Sequence, residues 1–230
     1  MEAAGFILFW SVMFVGTHLL ISSSVVRPRL TRAVGEWPYR GFYSLVSLVT
    51  FVGLCVEFGY HKHRGPMLWY LRDIDPIRWL VWLLMLVALV ILVAGLMNPA
   101  PAAIAARGRI GAPVGVQKLT RHPSFVAFTT FGIAHLLMNG WLGDIFFFGT
   151  FPALGVLGGL HQDIRKLSEL GATYRDFLAE TSFIPGAALI AGKQRWKAAD
   201  TPWRAIAIGA LLTAILIAMH PILFGGNPLG

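Results

Sequence analysis

Six stretches of this chain are apolar for about the length of a bilayer core: Phe6 to Val26, Phe42 to Tyr60, Ile77 to Met97, Ser124 to Asn139, Ile145 to Leu160 and Ala205 to Phe224. Each runs for about 16 to 21 residues, and a helix rising ~1.5 Å per residue needs about 20 to cross ~30 Å of hydrocarbon. Backbone groups in lipid have no water to bond, so such runs close their hydrogen bonds internally as helices. The pattern predicts an all-α polytopic membrane bundle of about six transmembrane helices. The fourth and fifth runs are short and are joined only by Gly140-Trp141-Leu142-Gly143-Asp144, which also suits a tight helical hairpin, so five to seven spans fit the pattern.

Of the 230 residues, 56% are hydrophobic and 13% charged, too apolar for an ordinary soluble domain. The first run lacks the basic flank and small-residue cleavage site of a secretory signal, and is expected to stay as a helix. Cys55 lies inside the second run and is read as a small apolar side chain. The formal charge of +8 follows the membrane rather than marking a nucleic-acid surface. Arg27, Arg29, Arg32 and Arg40 follow the first run, Arg107, Arg109, Lys118 and Arg121 the third, and Arg165, Lys166, Arg175, Lys193, Arg195 and Lys197 the fifth. These three loops are assigned to the cytoplasm, where they meet anionic lipid head groups, and both termini to the far side.

The Ala-, Gly- and Pro-rich loop from Asn98 to Arg121 divides one membrane domain, residues 1–230, into two sets of three spans, 1–97 and 118–224. After the fifth run the chain turns amphipathic. Leu167, Leu170, Tyr174, Phe177 and Leu178 recur at helical spacing among charged residues, as expected of a cytoplasmic interfacial helix within Gln162 to Ala179.

Two histidines lie deep in apolar runs in similar settings, Thr17-His18-Leu19-Leu20 and Ala134-His135-Leu136-Leu137. Ionisable groups at such depth mark function, and neutral imidazole is the commonest protein ligand for a metal. Each lies about 17 Å from the surface at which its run begins, near the bilayer middle. If the 3+3 division is an inverted repeat, the two are counterparts. A bis-histidine haem b site needs one imidazole from each of two helices, an apolar slot and cations for the propionates. His18 and His135 are the candidate axial ligands, Gly16, Gly132 and Ala134 the small residues of the slot, and Arg27 or Arg121 the cations. The bland alternative for each histidine is a hydrogen bond inside the bundle. His122, in Thr120-Arg121-His122-Pro123, sits where the fourth run begins and is a candidate for a propionate, phosphate or cofactor carboxylate. His61 and His63 are expected to be solvated, His220 to be structural, and His161 and Asp163 to point to different faces of one helix. No zinc pattern, phosphate loop, nucleophile elbow or carboxylate pair is present, and hydrolysis is unsupported.

Thr17-His18-Leu19-Leu20, Tyr39 to Ser47, Asn98-Pro99, Thr120-Arg121-His122-Pro123, Ala134 to Gly140, Asp163-Ile164-Arg165-Lys166 and Thr181 to Pro185, in this order, resemble the NnrU family over roughly Phe6 to Gly192. That family includes proteins associated with bacterial denitrification and is related to the 15-cis-zeta-carotene isomerase, a membrane enzyme that uses haem b. The resemblance implies a bacterial inner-membrane protein whose His18 and His135 match haem-linked histidines. It also implies a role in nitrite and nitric oxide respiration or in redox-gated cis-trans isomerisation of an apolar polyene. A second resemblance joins Arg121-His122-Pro123, Leu160 to Asp163 and Leu170 to Phe177 to the C-terminal half of integral membrane methyltransferases of the isoprenylcysteine and phospholipid type. It implies S-adenosylmethionine held around Arg121, His122 and Tyr174.

Overall fold

The structure is a computed structural model describing residues 2–99, 110–226 and 228; Arg107 and Arg109 of the third loop lie outside these. Among the described residues ten α-helices follow one another: α1 (Glu2–Ile21), α2 (Val26–Val34), α3 (Glu36–His61), α4 (Asp75–Met97), α5 (Val116–Leu119), α6 (Pro123–Met138), α7 (Leu142–Leu170), α8 (Ala172–Glu180), α9 (Ala187–Ile190) and α10 (Trp203–Phe224). Five of them, α1, α3, α4, α7 and α10, are long and apolar enough to cross a membrane; α6, at 16 residues, is the short sixth. The architecture is the expected all-α membrane bundle, and α6 with α7 forms the tight hairpin considered for that region.

The helices pack as a row. α1 lies between α3 and α7, α6 between α7 and α4, and α10 covers the far side of α4. Neighbours in a row expose their flanks, and Leu45, Leu48 and Val52 of α3 turn outward as lipid-facing side chains do. Aromatic rings hold the centre. Phe58 of α3 stacks on Phe147 of α7 at 3.9 Å between centroids, and Phe148 and Phe151 continue the layer toward Phe131 of α6. Such ring pairs add ~0.5–1.5 kcal/mol beyond buried area.

The α6–α7 seam is close because its contact points are glycines. A Cβ on Gly155 would meet the Thr129 hydroxyl and stand 2.7 Å from the Phe125 carbonyl; one on Gly132 would strike Pro152 and lie 2.7 Å from the Phe148 carbonyl. Pro152 donates no N–H to Phe148 four residues earlier, and Gly132 packs where that carbonyl is freed. Gly132 therefore serves helix contact, and the fully buried Ala134 is likewise packed, so neither leaves the space for a macrocycle expected of them. Gly16 is open: a Cβ there meets nothing within 4 Å.

The largest departure from expectation is at the end of α7. The fifth run was expected to end at Leu160, with a separate amphipathic helix starting near Gln162; instead α7 continues without a break to Leu170 and turns at Gly171 into α8. Amphipathic periodicity cannot locate a break between two segments that share a phase. The charges on the last three turns are tolerated because most of them have partners there.

Candidate functional site

The basic loops gather at one end of the bundle, here called the basic end: Arg27 pairs with Glu169 and Lys118 with Asp200. The chain from Leu119 to His122 is pinned beside the loop after α8. Gly186 N–H donates to the Leu119 carbonyl at 2.8 Å, Arg121 N–H to Ser182 at 2.9 Å, and the Thr120 hydroxyl to Phe183 at 2.8 Å. Pro123 then starts α6, where its missing N–H costs nothing. This pinning turns Arg121 and His122 toward α7, where Asp163 takes both. His122 Nε2 donates to Asp163 Oδ1 at 2.7 Å, the Tyr174 hydroxyl of α8 donates to the same oxygen at 2.7 Å, and Arg121 holds Oδ2 through Nε and Nη2 at 2.8 and 2.7 Å. Tyr174 and His122 are buried, at 0% and 2% exposure. Burial first, and then the Asp163 carboxylate, push the Tyr174 hydroxyl well above the ordinary tyrosine value.

His122 is thus not a free group for an external anion. Its imidazole is spent on Asp163, as are the Arg121 charge and the Tyr174 hydroxyl. The three groups that the methyltransferase resemblance assigns to S-adenosylmethionine close on each other through one carboxylate. Asp163 stands in both resemblances and near His161 in the chain, but its partners come from α8 and from the residues just before α6, Arg121 being 42 positions upstream, and no spacing pairs them. Arg27 is committed as well, to Glu36 at 2.9 Å and Glu169 at 2.5 Å, and so is not the open cation expected beside a propionate.

His18 and His135 sit on helices that flank α7 from two sides. The Ser11 hydroxyl of α1 reaches the Phe146 carbonyl of α7 at 3.1 Å, and the two helices run in parallel, so His18, seven residues on, lies level with about Ala153. His135 stacks on Phe148 with centroids 4.6 Å apart. The two backbone levels therefore differ by about five residues, ~8 Å along the axis. Side chains lean toward the N-terminus of their helix, and since α6 runs against α1 the two rings lean toward each other.

Each imidazole has its Nδ1 engaged, His18 at 3.3 Å from the Ser47 hydroxyl and His135 donating to the Phe131 carbonyl at 3.0 Å. Neither Nε2 makes a hydrogen bond among the described residues. A bonded Nδ1 with Nε2 left free is the usual setting of a metal-ligating histidine; the Phe131 carbonyl fixes the His135 tautomer, the Ser47 hydroxyl can donate to His18 or accept from it, and in donor chemistry both residues fit axial ligation of a haem iron. Between them runs a train of ring contacts. His18 touches Phe14 at 5.7 Å, Phe14 touches Phe51 at 5.3 Å, Phe51 touches Phe151 at 6.5 Å, Phe151 touches Phe131 at 4.9 Å and Phe131 touches His135 at 4.2 Å.

The other histidines have plainer settings. His63 is exposed, as expected, but also anchored: its backbone N–H and Nδ1 approach the two oxygens of the fully buried Asp144 at 2.9 and 2.7 Å, tying the α3–α4 loop to α7 at the end opposite the basic one. His61 lies 2.7 Å from Glu57, and His220 Nδ1 donates to the Gly226 carbonyl. No group of three or more His, Cys, Asp or Glu able to hold a metal occurs among the described residues.

The family model described as NnrU protein matches residues 6–228. The chloroplastic 15-cis-zeta-carotene isomerase of Zea mays is 27% identical over 192 residues, covering 82% of this chain and 51% of that protein. Its counterpart in Arabidopsis thaliana is 25% identical over 169 residues, covering 71% of this chain and 45% of that protein. The chain thus spans about half the length of the curated relatives it matches. No solved structure matches.

Proposed function

The chain belongs to the NnrU family, and on that premise we propose that it is a membrane isomerase acting on a cis double bond of an extended, carotenoid-like polyene, with haem b held by His18 and His135. The observation that carries this reading is the phenylalanine train joining two imidazoles whose Nε2 atoms are both left free. Rotation about a carbon–carbon double bond consumes no proton and transfers no net electron, so the reaction asks for apolar binding and a metal centre rather than an acid–base pair. The carboxylates of α7 agree with this division, since Asp144 and Asp163 are both engaged by side chains away from the train.

His18 and His135 would hold the haem, which on release of one of the two imidazoles would supply a metal centre able to weaken the double bond with no net change in oxidation state. The chain's own residues hold and orient. Ser47 and Phe131 fix the two ring planes through Nδ1, and the faces of Phe51, Phe131 and Phe151 bind the polyene and exclude water. By the excess of Lys and Arg, the basic end faces the cytoplasm and both termini the other side.

Absorbance spectra of the detergent-purified protein, oxidised and dithionite-reduced, with haem quantified against protein, test the reading. We expect near-stoichiometric haem with sharp reduced bands, lost on His18→Ala or His135→Ala. Retained haem in the double variant overturns the ligand assignment, and the absence of haem after reconstitution overturns the cofactor. Chromatography of a cis-polyene incubated with the reduced protein then tests the isomerisation, which is expected to fail in either single variant.

A further inference from the structure

At the basic end of α7 a second polar group lies on the face opposite Asp163. His161, Arg165 and Glu169 are spaced by four and so share one side of the helix, turned toward α1, α2 and α3. Glu169 is held there by Arg27 at 2.5 Å and by Lys166 at 2.7 Å. Arg165 is not held. Among the described residues it makes no ion pair, and its Nε is shielded from solvent with no hydrogen-bond partner. It lies within electrostatic reach of His161, Tyr39, Tyr43, Glu169 and Tyr174, and of these only Glu169 carries a negative charge, already shared by two other cations.

A half-buried guanidinium without a counter-ion is costly, because desolvation is not repaid by pairing. Arg27, Arg40 and Arg121, at the same end, each have a carboxylate within 3.0 Å. From Arg165 an aromatic and polar seam leads inward. Tyr39 and Tyr43 stack at 6.2 Å, Tyr43 lies 5.0 Å from the His18 ring, and Ser47 bonds the same imidazole. A ligand lying along that seam would have an apolar body against rings and an end at a planar cation suited to a carboxylate.

We propose that Arg165 is the anion anchor of this site: it takes the carboxylate of an amphipathic ligand whose apolar body reaches inward along Tyr43 to His18. The expectation that Arg27 or Arg121 fills this role gives way because both are neutralised by carboxylates of the chain. Where the ligand is haem b the anchored group is a propionate, and to that extent the inference rests on the reading above; a fatty carboxylate offers the same chemistry without it.

Two pairs of probes separate these cases. Purified protein is titrated with haemin and with haemin dimethyl ester, which has the same iron and ring but no free carboxylate. Wild type should bind haemin about tenfold more tightly than the ester, the scale of one charge-assisted hydrogen bond. Arg165→Gln should remove that difference by weakening haemin alone, Arg165→Lys should restore part of it, and His18→Ala should weaken both probes. Equal loss of both probes in Arg165→Gln, or no loss of either, overturns the anchor while leaving the haem ligands standing. If wild type binds neither porphyrin the haem reading falls, and thermal shifts by oleate and methyl oleate decide the anchor. A shift by oleate alone that disappears in Arg165→Gln supports it; an equal shift in wild type and variant, or none, overturns it.

Discussion

The two faces of α7 at its basic end carry similar charges to different effect. Toward α6 and α8, Asp163 accepts from Arg121, His122 and Tyr174, and each of these polar side chains has its partner. Toward α1 and α3, Arg165 makes no ion pair among the described residues, and the one carboxylate within its electrostatic reach, Glu169, is already held by Arg27 and Lys166. A network closed on itself stabilises a junction of three helices and has little left to offer a ligand, whereas a cation left open within a membrane bundle is kept at a cost and so points to binding. The residues that the sequence most readily nominates, Arg121 and His122, lie on the closed face.

The sharpest way to break the contrast is Asp163→Ala. It leaves Arg121 and His122 charged or polar and without their acceptor inside a packed junction, and stability should fall by about 3–5 kcal/mol, the cost of removing one partner of a buried pair. Thermal unfolding in detergent checks this, and a midpoint near that of wild type would show that the network does not hold the junction.

Tyr174→Phe sharpens it at smaller scale. Loss of one hydrogen bond to the carboxylate should cost about 1–2 kcal/mol. Because burial and the Asp163 charge raise the folded-state value of this hydroxyl above the unfolded one, its contribution is complete below the unfolded value of about 10 and declines as pH rises beyond it. Unfolding measured across the alkaline range should therefore fall more steeply for wild type than for the phenylalanine variant. Parallel curves would mean that Tyr174 does not titrate against Asp163.

The smallest effect on stability belongs to Arg165→Gln on the open face. With no ion pair to lose and an unrepaid desolvation relieved, the unliganded protein should lose no stability and gain on the order of 0.5 kcal/mol. A loss comparable to that of Asp163→Ala would place Arg165 among the structural charges and dissolve the distinction between the two faces.

Much of the bundle is legible from the chain itself. Apolar runs of bilayer length specify the helices because lipid leaves the backbone no other way to satisfy its polar groups, and the basic loops sort to one end for the same solvent-driven reason. The depths of His18 and His135 could also be read by counting, to within about the 8 Å that their register on α7 now gives, since helix rise is uniform. Where the charged stretch after Leu160 belongs was not legible, because a charged turn continues a helix only if partners await it, and Asp163 finds its own on α6 and α8.

The same limit governs the site. That an intramembrane histidine has a role follows from composition and the cost of burying a polar group. Which cations are free does not follow, because pairing depends on residues far apart in the chain: Arg27 meets Glu169 across 142 positions and Arg121 meets Asp163 across 42. Local composition was enough to specify that helices form and which side chains are expensive to bury. Only the packing of α7 against its neighbours decided which of those side chains are neutralised and which is left to a ligand, since Coulomb and hydrogen-bond energies fall off over a few ångströms and chain separation says nothing about distance on that scale.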